Sequence, residues 1–332
     1  MKAIVYHSYG SPEVLHLEEV EKPTPGDDEA LVRVRAASAN PLDYHMMKGA
    51  FMLRPLTGLR RPRVGRPGAD LAGEVETVGT KVTRFKPGDL VFGAGRRGTF
   101  AEYVSVKEKN LAPKPANITF EQAAAIPVAG LTALQGLSKG RIRSRQKVLI
   151  NGAAGGVGTF AVQIAKSFGA EVTGVCSTRN VGLVRLIGAA HVIDYTREDF
   201  TRSTQRYELL FDCIGNHPLS ACRGVMSANG TYVLVGVKPG LPGDGPLARL
   251  LKVLILSRLA KQNFVFFIAS MNHSDLIQLK ELVESEKVTP VIDRAYTLSD
   301  GAKAIRYLEE GHARGKVVIT VERSEESEKA RQ

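Results

Sequence analysis

Between Asn151 and Gly158 the chain reads NGAAGGVG, with Gly152, Gly155 and Gly158 three residues apart. Glycine loses more freedom on folding than any other residue, so a cluster of it needs a reason. Bare backbone lets amide N–H groups approach an anion closely, and a helix that starts there adds the positive end of its dipole. The flanks supply that helix. KVLIN (147–151) is a short apolar run of strand type, and Ala161, Ile164, Ala165 and Phe168 then share one helical face before Gly169. Strand, glycine turn and helix in this order suit a dinucleotide pyrophosphate. The backbone of Gly152, Ala153, Gly155, Gly156, Val157 and Gly158 is the expected cradle, against the competing reading of a tight turn without a ligand.

An NAD site usually carries an acid on the ribose hydroxyls about 20 residues beyond such glycines. Here EVTGV (171–175) runs into Cys176, Ser177, Thr178, Arg179 and Asn180, with no acid. Hydroxyls donate to a ribose 2′-phosphate and a guanidinium forks onto it, while a carboxylate repels it. NADPH is therefore the expected cofactor; Arg179 as a solvated loop residue would instead leave dual specificity. Other chemistries find little support. No G-x-S-x-G occurs, and Cys176, Cys213 and Cys222 stand at no C-x-x-C spacing, so neither a nucleophile elbow nor a cysteine zinc site is expected. The cysteines read as buried thiols in a reducing compartment.

Six apolar runs, KVLIN, EVTGV, HVIDY, ELLFD, TYVLV and FVFFI, alternate with helix-compatible segments, the pattern of a doubly wound parallel sheet. Upstream, ALVRVRA (30–36) alternates with period two, and LAGEVETVG and TFAEYVSV are similar runs between Gly and Pro, which suggests a compact β-rich domain. Downstream, DLIQLKELVESEK and GAKAIRYLEEG read as helices and PVIDRAY and GKVVITV as strands that can rejoin the first sheet. The expected division is 1–121 with 271–324 as a β-rich domain, 122–270 as a nucleotide-binding domain, and 325–332 as a frayed, charged tail.

At 332 residues, 43% hydrophobic and 24% charged, the composition is that of an ordinary globular protein. No apolar stretch approaches the roughly 18 residues of a membrane span, and MKAIVYHSYG does not read as a signal peptide, so a cytoplasmic protein is expected. The net charge of +11 includes a stretch with Arg54, Arg60, Arg61, Arg63 and Arg66. It can attract an anion, but it lacks the interleaved aromatics of single-strand binding; a solvated loop is the preferred reading and a nucleic-acid partner is not expected.

Seven segments in order, SANPLDYHMMKG (38–49), PGADLAGEVETVG (67–79), FKPGDLVFG (85–93), GTFAEYVSV (98–106), AAAIPVAGLTALQGL (123–137), NGAAGGVG (151–158) and GKVVITV (315–321), resemble the medium-chain dehydrogenase/reductase superfamily. Within it they resemble the zinc-free quinone oxidoreductase branch, which includes reticulon-interacting mitochondrial and chloroplast-envelope proteins. The likeness covers nearly the whole chain. It implies an α/β protein: a GroES-like β-rich catalytic domain from both chain ends, a six-stranded Rossmann nucleotide-binding domain, a cleft between them, and a homodimer. Zinc alcohol dehydrogenases of the superfamily need a thiolate and a His-Glu pair where this chain has Asn40, Ala69 and Asp70, so no metal is expected.

The resemblance also implies roles. Asn40 is expected beside the nicotinamide, Thr132 on its carboxamide or ribose region, and Tyr195 near the adenine-ribose phosphate. The segments with Cys213, Ile214 and Gly215 and with Val235 and Gly236 end strands four and five, where ligands of such sheets sit. His312 and Lys316 match a segment that reaches the cofactor in relatives. Many members carry a tyrosine shortly after the glycine corresponding to Gly49; here the match is Phe51, which has no proton to give. Tyr44 or His45 can take over that role or line the substrate, or a reduced quinone can take its proton from water; equally, Tyr44 reads as a core aromatic and His45 as a surface histidine. The expected activity is NADPH-dependent, zinc-independent reduction of quinones or α,β-unsaturated carbonyls. The alternatives are an enoyl-thioester reductase, with the arginines on coenzyme A phosphates, and a nucleotide- or RNA-binding protein with little turnover.

Overall fold

The computed structural model describes residues 1–49, 58, 60–62, 65–95, 98–237 and 246–321. The chain opens with an antiparallel ribbon of β1 (Lys2–Val5) and β2 (His16–Glu19). The long strand β3 (Glu29–Ala39) follows, then β4 (Asp70–Val78), β5 (Leu90–Ala94), β6 (Tyr103–Lys107) and β7 (Leu111–Pro113). The alternation read in ALVRVRA is real: Val32 and Val34 are buried while Arg33 and Arg35 are half-buried. From Ala36 onward both faces of β3 are covered, which is why polar Ser38 and Asn40 there lie in the interior.

The middle of the chain supplies β8 (Lys147–Asn151), β9 (Glu171–Cys176), β10 (His191–Asp194), β11 (Tyr207–Asp212), β12 (Met226–Leu234) and β13 (Asn263–Phe266). All pair in parallel, in the order β10-β9-β8-β11-β12-β13. Parallel strands covered by helices on both faces read as unbroken apolar runs, and Val148, Leu149 and Ile150 are all fully buried. Strand order reverses between β8 and β11, so a crevice for a ligand opens at their carboxyl ends.

The last strands, β14 (Ile292–Thr297) and β15 (Lys316–Thr320), return to the first sheet. β15 runs antiparallel to β3, with Val317 opposite Ala39, and the order is β14-β15-β3-β4-β5-β7, with β6 also on β3. Contacts divide the chain into one unit of Met1–Val128, Met271–Glu284 and Pro290–Gln332 and another of Ala129–Ser270 and Ser285–Thr289. The first unit packs Tyr6, Val34, Leu71, Phe100 and Ile305 among its core, and the second packs Leu149, Phe200, Leu210, Tyr232 and Phe264. HVIDY stops being strand at Asp194, leaving Tyr195 beyond it. FVFFI is strand only to Phe266; as the sheet edge it leaves Phe266 and Ile268 exposed. Among the described residues no helix is long and apolar enough to cross a membrane.

Candidate functional site

The glycine turn joins β8 to the helix Gly156–Ser167. Gly155 is the extended N-cap residue with no side chain to satisfy the first amides, and an α-helix leaves its first four N–H groups without internal acceptors. The two key glycines differ in what surrounds them. A Cβ on Gly158 would stand 2.0 Å from the Gly152 carbonyl oxygen and 2.9 Å from Ala153, so glycine there is required by the fold. A Cβ on Gly155 would find only the Gly152 oxygen, at 3.5 Å. The fold itself leaves that side open, so the space is available to a phosphate. These residues fit a dinucleotide pyrophosphate.

At the ends of β9 and β10, Ser177 is half-buried, and Thr178, Arg179 and Tyr195 are exposed. The Tyr195 amide donates to the Cys176 carbonyl at 3.0 Å, which brings the two strand ends together. The acid absent after β9 along the chain arrives from the neighbouring strand. Asp194 lies opposite Cys176 and accepts the Thr178 hydroxyl at 2.6 Å and the Thr196 hydroxyl at 2.8 Å. Its carboxyl is held below its usual range, chiefly by the Thr178 hydrogen bond. The Thr178 proton is thus committed, whereas Ser177 accepts from Asn180 and keeps its own proton to donate. No signal in spacing along β9 reveals Asp194; only strand pairing does.

Cys213, Ile214 and Gly215 follow β11, and Val235 and Gly236 follow β12, at the carboxyl end of the same sheet as the glycine turn. Thr132 lies half-buried on the helix Pro127–Lys139 of that unit. The structure therefore gathers the glycine turn and the segments after β11 and β12 on one sheet edge. A groove of about 690 Å³, lined among others by Lys147, His191, Arg197, Arg202 and Tyr207, contains none of them.

In the other unit Asn40 caps the helix Pro41–Met47 and is buried. Its amide orientation is fixed by charge on both sides. Asn40 Oδ1 accepts from Lys316 Nζ at 2.6 Å, and Nδ2 donates to Asp70 Oδ2 at 3.0 Å and to the Ser38 carbonyl at 3.4 Å. Asp70 Oδ2 also accepts the Ser38 hydroxyl at 2.7 Å and the Lys316 ammonium at 3.2 Å, while Oδ1 accepts the Val128 amide at 2.8 Å. Lys316 is 3% exposed and completes its set on the Ala39 carbonyl. The ammonium of Lys316, a residue expected at the cofactor, is engaged by Asn40, Asp70 and Ala39. An amide, one carboxylate and an ammonium are not a zinc donor set. Among the described residues no group of three or more His, Cys, Asp or Glu is placed to hold a metal. Sequence reasoning missed Ser38 and the carboxylate partnership of Asp70; the only hint was a lone acid heading an apolar strand.

On the same helix, Asp43 accepts the Asn40 amide at 2.8 Å and the Gly68 amide at 2.9 Å. Burial pushes its carboxyl up to about 6. Tyr44 is half-buried against the unit's core, its ring 4.3 Å from that of His45, and burial raises its phenol. Burial, with Lys48 beside it, lowers the His45 imidazolium, so that the ring is neutral at neutral pH. His312 is exposed at the turn before β15. Phe51 lies outside the described residues.

Two family models match the chain: an alcohol dehydrogenase GroES-like domain over residues 26–116 and a zinc-binding dehydrogenase over residues 187–319. Among curated relatives, 2-methylene-furan-3-one reductase of Solanum lycopersicum is 36% identical over 96% of this chain and 79% of its own. The chloroplastic NADPH-dependent alkenal/one oxidoreductase of Arabidopsis thaliana is 36% identical with the same coverage. The solved quinone oxidoreductase of Coxiella burnetii superposes with a TM-score of 0.87 at 30% identity, covering 97% of this chain and 99% of that one. Glycine turn, six-stranded parallel sheet, GroES-like unit and relatives matched over nearly the whole of this chain agree: the chain belongs to the medium-chain dehydrogenase/reductase superfamily of oxidoreductases.

Proposed function

We propose that this protein is an NADPH-dependent, zinc-independent oxidoreductase that reduces quinones or α,β-unsaturated carbonyls. The observation that carries the choice of acceptor is the Asp70 cluster: a lysine ammonium, an amide and a hydroxyl already engage this carboxylate, so it does not offer itself to a Lewis acid that would polarise a simple alcohol. An acceptor whose conjugation spreads the developing charge needs none. The names of the tomato, Arabidopsis and Coxiella relatives, a furanone reductase, an alkenal/one oxidoreductase and a quinone oxidoreductase, support the same class.

When bound, the nicotinamide supplies the hydride. The chain's own residues do the rest. The amides behind Gly155 hold the pyrophosphate, Ser177 and Arg179 receive the 2′-phosphate with Tyr195 flanking it, and the nearby Asp194 carboxylate is occupied by the Thr178 and Thr196 hydroxyls. Asn40 has both amide hydrogens engaged, so what it offers the nicotinamide half is the remaining lone pair on Oδ1; it orients and does not protonate. Tyr44 is the proposed proton donor, because its phenol stands half-buried on the helix Pro41–Met47, four residues beyond Asn40, and carries a proton that Phe51 lacks. The exposed Phe266 and Ile268 at the end of the edge strand β13 support a homodimer, and the three free cysteines fit a reducing compartment such as the cytoplasm.

Chelator-treated protein should bind NADPH more tightly than NADH by calorimetry and should turn over a naphthoquinone or a simple enone. Failure to bind either nucleotide, or turnover that returns only with added zinc, refutes the proposal.

A further inference from the structure

Asp212 closes β11 at the point where strand order reverses, and it is fully buried. Its Oδ1 accepts Asn151 Nδ2 at 2.8 Å, the Ile214 amide at 3.1 Å and the Gly215 amide at 2.8 Å. Its Oδ2 accepts the Tyr232 hydroxyl at 2.6 Å and Arg249 Nη2 at 3.3 Å. Its main-chain oxygen receives the amides of Val235 and Gly236, at 3.0 and 3.1 Å. One residue thus holds the end of β8 and both loops that follow β11 and β12. Those loops touch directly: a Cβ on Gly236 would sit 2.0 Å from the Cys213 carbonyl oxygen.

Arg249 reaches this carboxylate from the helix Pro246–Leu259, with no exposed side-chain surface. Its Nη2 also donates to the Tyr232 oxygen at 2.6 Å, and Nη1 donates to the His217 carbonyl at 2.8 Å. A fully buried ion pair is a poor way to add stability, because apolar side chains of similar volume do as well or better. What it adds is direction. With Oδ2 anchored by Tyr232 and Arg249, Oδ1 has one orientation, and the amides of 214 and 215 follow it.

With the 2′-phosphate residues at the ends of β9 and β10 on one side of β8, the loops after β11 and β12 lie on the other side, toward the nicotinamide half; we propose that Arg249, Tyr232 and Asp212 are positioning residues that set the loops at 213–215 and 235–236 for that half, and thereby couple nucleotide occupancy to the Pro246–Leu259 helix. This rests on the nucleotide reading above. The probes are NADP⁺ and 2′,5′-ADP, which carries the adenosine and 2′-phosphate but no nicotinamide. NADP⁺ slows amide hydrogen exchange in that helix and 2′,5′-ADP does not. Arg249→Met removes a charged hydrogen-bond partner and lowers NADP⁺ affinity by about tenfold or more, with 2′,5′-ADP affinity held. Adding Asp212→Asn to Arg249→Met removes the uncompensated charge and brings the melting temperature back toward wild type. Should Arg249→Met not fold, Tyr232→Phe, which deletes one hydroxyl, shows the same split between the two ligands at smaller size. Equal losses for both ligands, or no loss for either, overturn the positioning role alone. Wild-type protein that binds neither probe overturns the nucleotide reading and this coupling with it.

Discussion

Two glycines three residues apart separate the demands of the fold from those of a ligand. At Gly158 an added methyl would stand 2.0 Å from a backbone oxygen, where nothing can yield without moving the turn. Gly158→Ala gains about 1 kcal/mol of helix propensity and loses about 1–3 kcal/mol or more to overpacking, so its midpoint in urea falls. At Gly155 the nearest heavy atom would be 3.5 Å away and the backbone is ordinary extended chain, φ −82°, so alanine fits the unliganded protein. Its stability cost is that of losing a good N-cap residue, about 0.5–1 kcal/mol. The methyl does occupy the side from which a phosphate reaches the first helical amides. Each charge-assisted hydrogen bond lost there is worth about 1.5–3 kcal/mol, so the dissociation constant for NADP⁺ rises roughly 10- to 150-fold. Urea denaturation of the free proteins and calorimetric titration with NADP⁺ read the two effects separately. Gly155→Ala protein that stays folded and binds NADP⁺ like wild type would refute the cradle.

Three further outcomes follow from the geometry. Arg179→Ala should weaken NADPH roughly 10- to 100-fold and leave NADH unchanged, measured by fluorescence titration; equal weakening would remove Arg179 from the 2′-phosphate. Lys316→Met should cost about 3–5 kcal/mol in urea, because it strands the fully buried Asp70 carboxylate without its cation, and Asp70→Asn in the same chain should recover part of the loss. Asp43, near 3.9 unfolded and about 6 folded, binds its proton more tightly in the native state. Its contribution is full below about pH 4 and falls by about 3 kcal/mol as pH rises to about 6, then stays flat. The stability of wild type relative to Asp43→Asn should therefore decline across that window; a parallel pair of curves would show that Asp43 does not titrate there.

The fold was readable where a local pattern and its environment coincide. KVLIN and ELLFD are continuous apolar runs because parallel strands lie between helix layers, and the six runs appear as six strands in a doubly wound order. The return of GKVVITV to the first sheet needed only an apolar strand with nowhere else to pair. The glycine turn was legible because both the tight turn and the role proposed for it rest on bare backbone, and backbone requirements leave glycines in sequence. Charge partnerships were not. Asp194 meets Thr178 across a strand pair, Lys316 meets Asp70 across 246 residues, and Arg249 meets Asp212 across 37. Spacing along a chain carries no information about such meetings. In each case the only trace was an ionisable residue at the end of an apolar run.

The ammonium that completes the Asp70 cluster is brought by β15, the last strand described, and this orders events during synthesis. Every residue of the Rossmann-containing unit, through Thr289, leaves the ribosome before Lys316 does. Until then the Ala36–Ala39 end of β3 lacks its partner strand and the buried acid has no counter-charge, so the amino-terminal part waits as an incomplete sheet. A nascent chain stopped at residue 315 should accordingly hold a finished parallel-sheet unit and a chaperone-dependent, protease-sensitive first sheet, and synthesis of β15 should snap the latter shut.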